Sequence, residues 1–395
     1  MAAVAEREFS ARDRFLSLAA IMSTAFGVGI SFGIGFPLTA LTFEMWDQPK
    51  WMIGLAGAVP GLAVLLTLPI APRVIAWCGP VAAIMSGCMI GSLGFLALGI
   101  FQSPWAWIAI RLLMSAGFAV PWLAGETWIN SVSLHETRGR VIAIYAISFF
   151  SGYAIGPVFL QVLGLVGSAP FLAGALLTAA SGLPIIFGRR LAPPFTHTGG
   201  ADRILSAFAI VPSAMVSAFI GGFSEITILS LIPNVALAAG WSETPALGLL
   251  TITTIGGVVL QFPLGWLSDK MSRFVLTTSS IGLFMLLALA LPWVLESTVA
   301  SVVTCFLIGG VILGFYSLGL ADVGQRVKAG DLAAVNAAYI IMYQGGSLVG
   351  PACAGIAMTD RPVQGFVAIV IITMALAALA LAWIEIRARR RAMGD

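Results

Sequence analysis

Between Phe366 and Trp383 the chain carries no charged residue, and Thr373 is the only polar interruption. A run of this kind approaches the ~20 apolar residues that a helix needs to cross a bilayer. Comparable runs recur from one end of the chain to the other. Only 9% of the residues are charged, 59% are hydrophobic, and the mean hydropathy is +1.02; a soluble domain carries roughly 25% charge. With so little charge, 395 residues cannot clothe a water-facing surface, so lipid is the solvent for most of the chain. Hydrocarbon offers backbone polar groups no partner, which leaves helices or a closed barrel. Barrel strands alternate polar and apolar residues, and these runs do not. The chain is predicted to be an all-α membrane protein.

Twelve spans are predicted. They lie at 15–43, 52–72, 80–101, 104–132, 139–162 and 167–188, then at 204–233, 244–267, 273–295, 298–322, 332–357 and 362–386. The polar stretch 189–203, with Pro193, Pro194, His197, Gly199 and Gly200, divides them. Residues 1–188 should form one six-helix bundle, 189–203 a cytoplasmic linker, and 204–395 a second bundle with a basic tail. If spans alternate from a cytoplasmic N-terminus, all but three of the 20 Lys and Arg residues fall inside. The exceptions are Lys50 and Arg361 outside and Arg111 within a span. That sorting follows the positive-inside rule and would be scrambled by a wrong count. It places the protein in the inner membrane with both termini cytoplasmic. The charged segment Met1–Arg14 leads into a full-length span, not the short core of a cleavable signal.

An internal repeat supports two halves. At an offset of 194, Val141, Ala143, Tyr145, Ile147, Gly152, Gly156 and Pro157 match Val335, Ala337, Tyr339, Ile341, Gly346, Gly350 and Pro351. These positions lie in the fifth and eleventh spans. An offset of six spans preserves orientation, so the halves are parallel repeats related by a pseudo-two-fold axis.

Three local patterns carry a resemblance. Between spans 8 and 9 the chain reads Pro263-Leu-Gly265-Trp-Leu-Ser-Asp269-Lys270-Met-Ser-Arg273. Span 4 holds Arg111 followed by Gly117, and span 5 holds Gly152-x-x-x-Gly156-Pro157, repeated as Gly346-x-x-x-Gly350-Pro351. Together they resemble the major facilitator superfamily over nearly the whole chain, and within it the drug/proton antiporter-like bacterial branch. The resemblance implies alternating access by rocking halves, with spans 1, 4, 7 and 10 around a central cavity. Gly265 would let helices approach closely, and Asp269 would accept hydrogen bonds at a helix end while Lys270 and Arg273 stay cytoplasmic. The equivalent first-half loop, Pro69–Gly79, keeps Arg73 and Gly79 but lacks the aspartate. The Gly-x-x-x-Gly-Pro pattern leans transport towards export; generic small-residue packing is the competing reading.

Glu225 in span 7 lies at a depth close to that of Arg111. Burial disfavours a carboxylate and a nearby guanidinium favours it, so movement of one would change proton occupancy of the other. Either Glu225 carries a coupling proton and Arg111 orients substrate, or the two form a static ion pair. Glu126 is expected to pair with Arg73, and Asp322 with Lys270 or Arg273, as gate contacts. Trp122, Phe32, Phe223 and Tyr316 are candidate aromatic walls, and Tyr145, Tyr339 and Gln344 candidate polar groups facing the cavity.

The four cysteines stand singly and the two histidines lie in connections, which argues against a metal site or disulfide framework. No Walker sequence is present, so the proton gradient and not ATP or another cofactor is the expected energy source. A secondary transporter of a small organic or amphipathic solute, acting as a monomer in lipid without nucleic acid, is the reading taken. Uptake of a metabolite, an anion among the candidates, by the same fold is the alternative; a polytopic enzyme is remote because its acids are dispersed.

Overall fold

The computed structural model describes residues 10–134, 137–192, 206–268, 270–327 and 331–394. Most of the predicted linker 189–203, both histidines and Asp269 lie outside the described residues. The first half contains α1 (Ala11–Met45), α2 (Lys50–Thr67), α3 (Pro80–Ile100), α4 (Pro104–Val132), α5 (Arg138–Leu163) and α6 (Ala169–Ser181, continued by Ile185–Gly188). The second half contains α7 (Pro212–Ala238), α8 (Glu243–Ser268), α9 (Arg273–Val294), α10 (Thr298–Arg326), α11 (Leu332–Ala357) and α12 (Pro362–Gly394). By length and hydropathy, 12 helices among the described residues are able to cross a membrane.

Local chemistry sets several helix starts. Ser10 accepts the Asp13 N–H at 3.1 Å to open α1, and Ser272 accepts the Val275 N–H at 3.3 Å to open α9. Pro80, Pro104, Pro170 and Pro212 occupy the first turns of α3, α4, α6 and α7, where a missing N–H costs no hydrogen bond. The segment expected as a plain loop after α2 contains a short helix, Ala71–Cys78. Pro72 sits in its first turn and Gly79, at φ 81°, ends it. Ala71 and Ile75 are buried while Trp77 is exposed, so it lies as an amphipathic step.

Within the first half α1 packs on α5 and α2 on α4; within the second, α7 packs on α11 and α8 on α10. The two halves meet through α2 against α11, α5 against α8, and α1 against α7. The repeated glycines explain the parallel packing. A Cβ at Gly152 would meet the Phe26 carbonyl oxygen on α1, and one at Gly346 would meet the Phe219 carbonyl oxygen on α7. Each motif therefore presses backbone on backbone inside its own half. The start of α1, the end of α12 and Arg73, Arg273 and Arg326 share one end of the bundle, here called the basic end. Glu44, Lys50 and Trp241 mark the opposite, far end.

Candidate functional site

Three side chains from three helices meet in the middle of the first-half wall and its neighbour α7. Arg111 on α4 is 5% exposed, and its guanidinium lies 4.8 Å from the ring centroid of Phe36 on α1. Gly35 makes room for it: a Cβ there would stand 2.8 Å from Nη1. Arg111 Nε has no hydrogen-bond partner, and Arg111 makes no ion pair among the described residues. Glu225 on α7 is 6% exposed, and the Tyr343 hydroxyl of α11 donates to its carboxylate. Tyr153 on α5 is within electrostatic reach of both Arg111 and Glu225, and its own hydroxyl is unpartnered. The acid and the base thus border a common tyrosine without pairing with each other.

From Glu225 the polar groups continue as a string. The Tyr316 ring lies 5.1 Å from that of Tyr343 and 5.3 Å from that of Tyr339. Tyr316 is within electrostatic reach of Glu225, Tyr145 and Glu126. The Tyr339 hydroxyl donates to the Tyr316 carbonyl at 2.7 Å, and Trp122 Nε1 donates to Glu126 at 2.9 Å. The chain has five tyrosines, and all five belong to this string that links the two span-embedded glutamates. Sequence reasoning named Tyr145, Tyr316 and Tyr339 but missed Tyr153 and Tyr343. Two signals could have found them: the place of Tyr153 inside the Gly152–Gly156 pattern and the spacing of Tyr343 one helical turn from Tyr339.

Other expected contacts differ. Arg73 is exposed and reaches the Pro69 carbonyl at 3.3 Å, so no Glu126–Arg73 ion pair is seen among the described residues. Asp322 takes its charge partner from its own helix: Arg326 Nε lies 2.8 Å from Oδ1, while the aligned hydrogen bond comes from Ser213 to Oδ2 at 2.7 Å. Lys270 sits instead over the Trp266 ring, 3.7 Å from its centroid. No atom of the described residues would meet a Cβ at Gly265 within 4 Å, so in this conformation that glycine makes no close helix approach among them. Phe32 joins an aromatic group with Phe36, Phe118 and Phe149. Phe223 is buried where α7 meets Gly350 of α11, and Gln344 is buried with its backbone carbonyl beside Gly61 of α2.

The far end is sealed. Asn234 on α7, 1% exposed, donates to the Ala40 carbonyl at 3.2 Å and to Glu44 Oε2 at 2.9 Å. Glu44 is also held by Lys50. Both bonds from Asn234 join the second half to the first. Beside them Gly54 of α2 lies against Gly355 of α11, and Gly57 against Pro351 and Ser230. Nearer the basic end a crevice opens between Leu68, Trp122, Glu126 and Ile340, drawn from both halves. It does not reach Arg111 or Glu225. The open chamber expected around those two residues is therefore closed by protein here.

A family model described as Major Facilitator Superfamily matches residues 15–351 and 214–394. The chain belongs to the major facilitator superfamily. Among the relatives of this superfamily member is the uncharacterized MFS-type transporter YfkF of Bacillus subtilis (strain 168), 28% identical over 87% of this chain and 88% of the relative. A second is the MFS-type transporter Ent638_1421 of Enterobacter sp. (strain 638), 23% identical over 77% of this chain and 79% of the relative. A solved structure of a mutant of the nucleoside transporter NupG superposes with a TM-score of 0.76 at 16% identity, covering 93% of this chain and 99% of that one. A bacterial homolog of the human lysosomal transporter Spinster, inward-facing and occupied, gives 0.71 at 16% identity over 96% and 98%. At such identity the two structures establish the fold. The protein is a multi-pass membrane transporter of this superfamily and not an enzyme.

Proposed function

We propose that this superfamily member is a proton-coupled carrier that exports a small organic solute across the inner membrane, with its basic end in the cytoplasm. The observation that carries the reading is a buried acid and a buried base, Glu225 and Arg111, bordering one tyrosine without pairing with each other. An unpaired charge held away from water is costly. A proton on Glu225, or a substrate group seated against Arg111, relieves that cost, so occupancy and conformation are energetically linked. Tyr343 holds the carboxylate from the second half while Tyr153 faces it from the first, so a rocking motion changes both partners of Glu225 at once. With the basic end cytoplasmic, the sealed far end and the protein packed around Arg111 and Glu225 make this a closed state, and the crevice beside Trp122 and Glu126 marks where the cytoplasmic side would begin to open. The Gly152–Pro157 pattern leans the direction towards export.

A second reading rests on one observation: among the described residues Arg111 has no counter-ion, which suits uptake of a solute with an anionic group. The test begins with a thermal-shift screen of metabolites and drugs on the purified protein to find a substrate. Transport is then followed in proteoliposomes with and without a pH gradient. Glu225→Gln is expected to abolish gradient-driven transport while counterflow exchange persists. Normal transport with an unchanged proton dependence in that variant would refute the coupling role, and gradient-driven accumulation with the proton flux would favour uptake.

A further inference from the structure

A proton bound for Glu225 must cross protein. Its side chain is 6% exposed, and the crevice at the basic end does not reach it. That crevice, about 10 Å³ or room for about one water, is bordered by Glu126 and Trp122 of α4 and by Ile340 of α11. Between the crevice and Glu225 lies the string of tyrosines, and exposure falls along it. Glu126, Tyr145 and Tyr316 are half-buried, whereas Tyr343 and Glu225 are buried. The Tyr145 hydroxyl lies against Gly125, the neighbour of Glu126 in the chain, where a Cβ would stand 2.9 Å from it. Tyr316 on α10 is within electrostatic reach of Glu126 and of Glu225, its ring lies 5.1 Å from that of Tyr343, and Tyr343 donates to Glu225. A phenol hydroxyl both donates and accepts, so it can pass a proton on and end as it began.

The other titratable neighbours fit the task less well. Tyr339 commits its hydrogen to the Tyr316 carbonyl at 2.7 Å. Asp322, within electrostatic reach of Tyr339, is held by Arg326 at 2.8 Å and Ser213 at 2.7 Å. Tyr153, with Arg111 beyond it, neighbours Glu225 from the first half, but both are buried and neither borders the crevice. Arg73, on the short helix that supplies Ala71 to the crevice wall, is exposed and turned to the Pro69 carbonyl.

We propose that Glu126 is the acid through which Glu225 exchanges its proton with the cytoplasm, with Tyr316 and Tyr343 as carriers between them. The assignment rests on the reading of Glu225 as the coupling acid. Glu126 takes a proton from water in the crevice and gives it to the Tyr316 oxygen. Tyr316 passes its own hydroxyl hydrogen to Tyr343, and Tyr343 passes its own to the Glu225 carboxylate. Both tyrosines end unchanged, Glu225 ends neutral and Glu126 is a carboxylate again.

Infrared difference spectroscopy of the full chain in lipid after a photolytic acid jump tests this without a substrate. The carbonyl stretch that appears in wild type and is missing in Glu225→Gln reports the proton on Glu225. In Glu126→Gln that band should rise about 100-fold more slowly, the low end of what a positioned acid contributes to a proton transfer. Its final amplitude should not change, a split that damage to the fold would not give, and glutamine keeps an acceptor oxygen for Trp122 Nε1. Tyr316→Phe should slow the band likewise, and Glu126→Asp should restore much of the rate. A wild-type rate in Glu126→Gln or in Tyr316→Phe would overturn the relay and leave Glu225 as the coupling acid. Slowing in Asp322→Asn in place of Glu126→Gln would overturn the choice of acid. Absence of any band that depends on Glu225 would overturn the coupling reading, and the relay with it.

Discussion

Replacing Asn234 should open the far end of the transporter. Its amide makes one hydrogen bond to the Glu44 carboxylate at 2.9 Å and one to the Ala40 carbonyl at 3.2 Å. A bond to a charged group contributes ~1.5–3 kcal/mol and a neutral one ~0.5–1.5, so together they favour the sealed state by about 2–4 kcal/mol. Against this, Asn234 Oδ1 is buried with no partner, a penalty that alanine removes. An unsatisfied buried acceptor costs about 1–3 kcal/mol, which leaves a net loss near 1–2 kcal/mol for Asn234→Ala. That shifts the ratio of sealed to open molecules by roughly 5- to 30-fold. Asn234→Asp should shift it further, because a carboxylate would then face the Glu44 carboxylate and add repulsion to the lost bonds. Spin labels at Gln48 and Ser242, in a cysteine-free background, report the separation of the far ends by pulsed electron resonance. The expected order of the long-distance population is wild type, Asn234→Ala, then Asn234→Asp. An aspartate variant no more open than the alanine variant would refute the assignment of Glu44 as the partner that holds the seal.

Two further outcomes separate packing from chemistry. Gly152→Val should destabilise strongly, by ~3 kcal/mol or more, because the new side chain meets the rigid Phe26 carbonyl and not a movable side chain; Gly265→Ala, with nothing within 4 Å, should leave the melting temperature unchanged or slightly raised. Tyr153→Phe removes a hydroxyl that bonds nothing, so thermal stability should hold while proton-driven transport falls; unchanged transport would remove Tyr153 from the groups proposed to act on Glu225 and Arg111.

The architecture was legible because lipid leaves a chain few options. Twelve apolar runs, one-sided arginines and a repeat at 194 predict the number of helices and their division into two like halves; which helices pair came only from the contacts. Depth was legible too: counting residues along spans 4 and 7 placed Arg111 and Glu225 near one level. What depth cannot give is rotation about a helix axis. A residue turns 100° from its neighbour, so whether Glu126 reaches Arg73 or Trp122 is decided by a fraction of a turn. The structure settles on Trp122, one turn back on the same helix. Asp322 likewise takes Arg326 from its own helix in preference to Lys270 or Arg273 on another. Local partners four residues apart are cheap to order. The Gly152–Gly156 pattern marks the place of Tyr153 but not its role, which comes from Glu225 and Arg111 on other helices.

The repeat also shows where symmetry ends. Gly152 faces Phe26 as Gly346 faces Phe219, so α1 and α7 correspond at an offset of 219 − 26 = 193. Glu225 then corresponds to 225 − 193 = 32, which is Phe32, a member of the aromatic group. Gly125 meets the Tyr145 hydroxyl as Gly319 meets that of Tyr339, so α4 and α10 correspond at 319 − 125 = 194. Arg111 then corresponds to Cys305, buried and uncharged. Backbone contacts are duplicated, whereas the acid and the base each occur once, in opposite halves. In the proposed mechanism the two equivalent bundles would rock between two similarly packed states. A single acid on one bundle and a single base on the other would then make the relation between them depend on which state is occupied, and that dependence is what the proposed proton or substrate charge would act on.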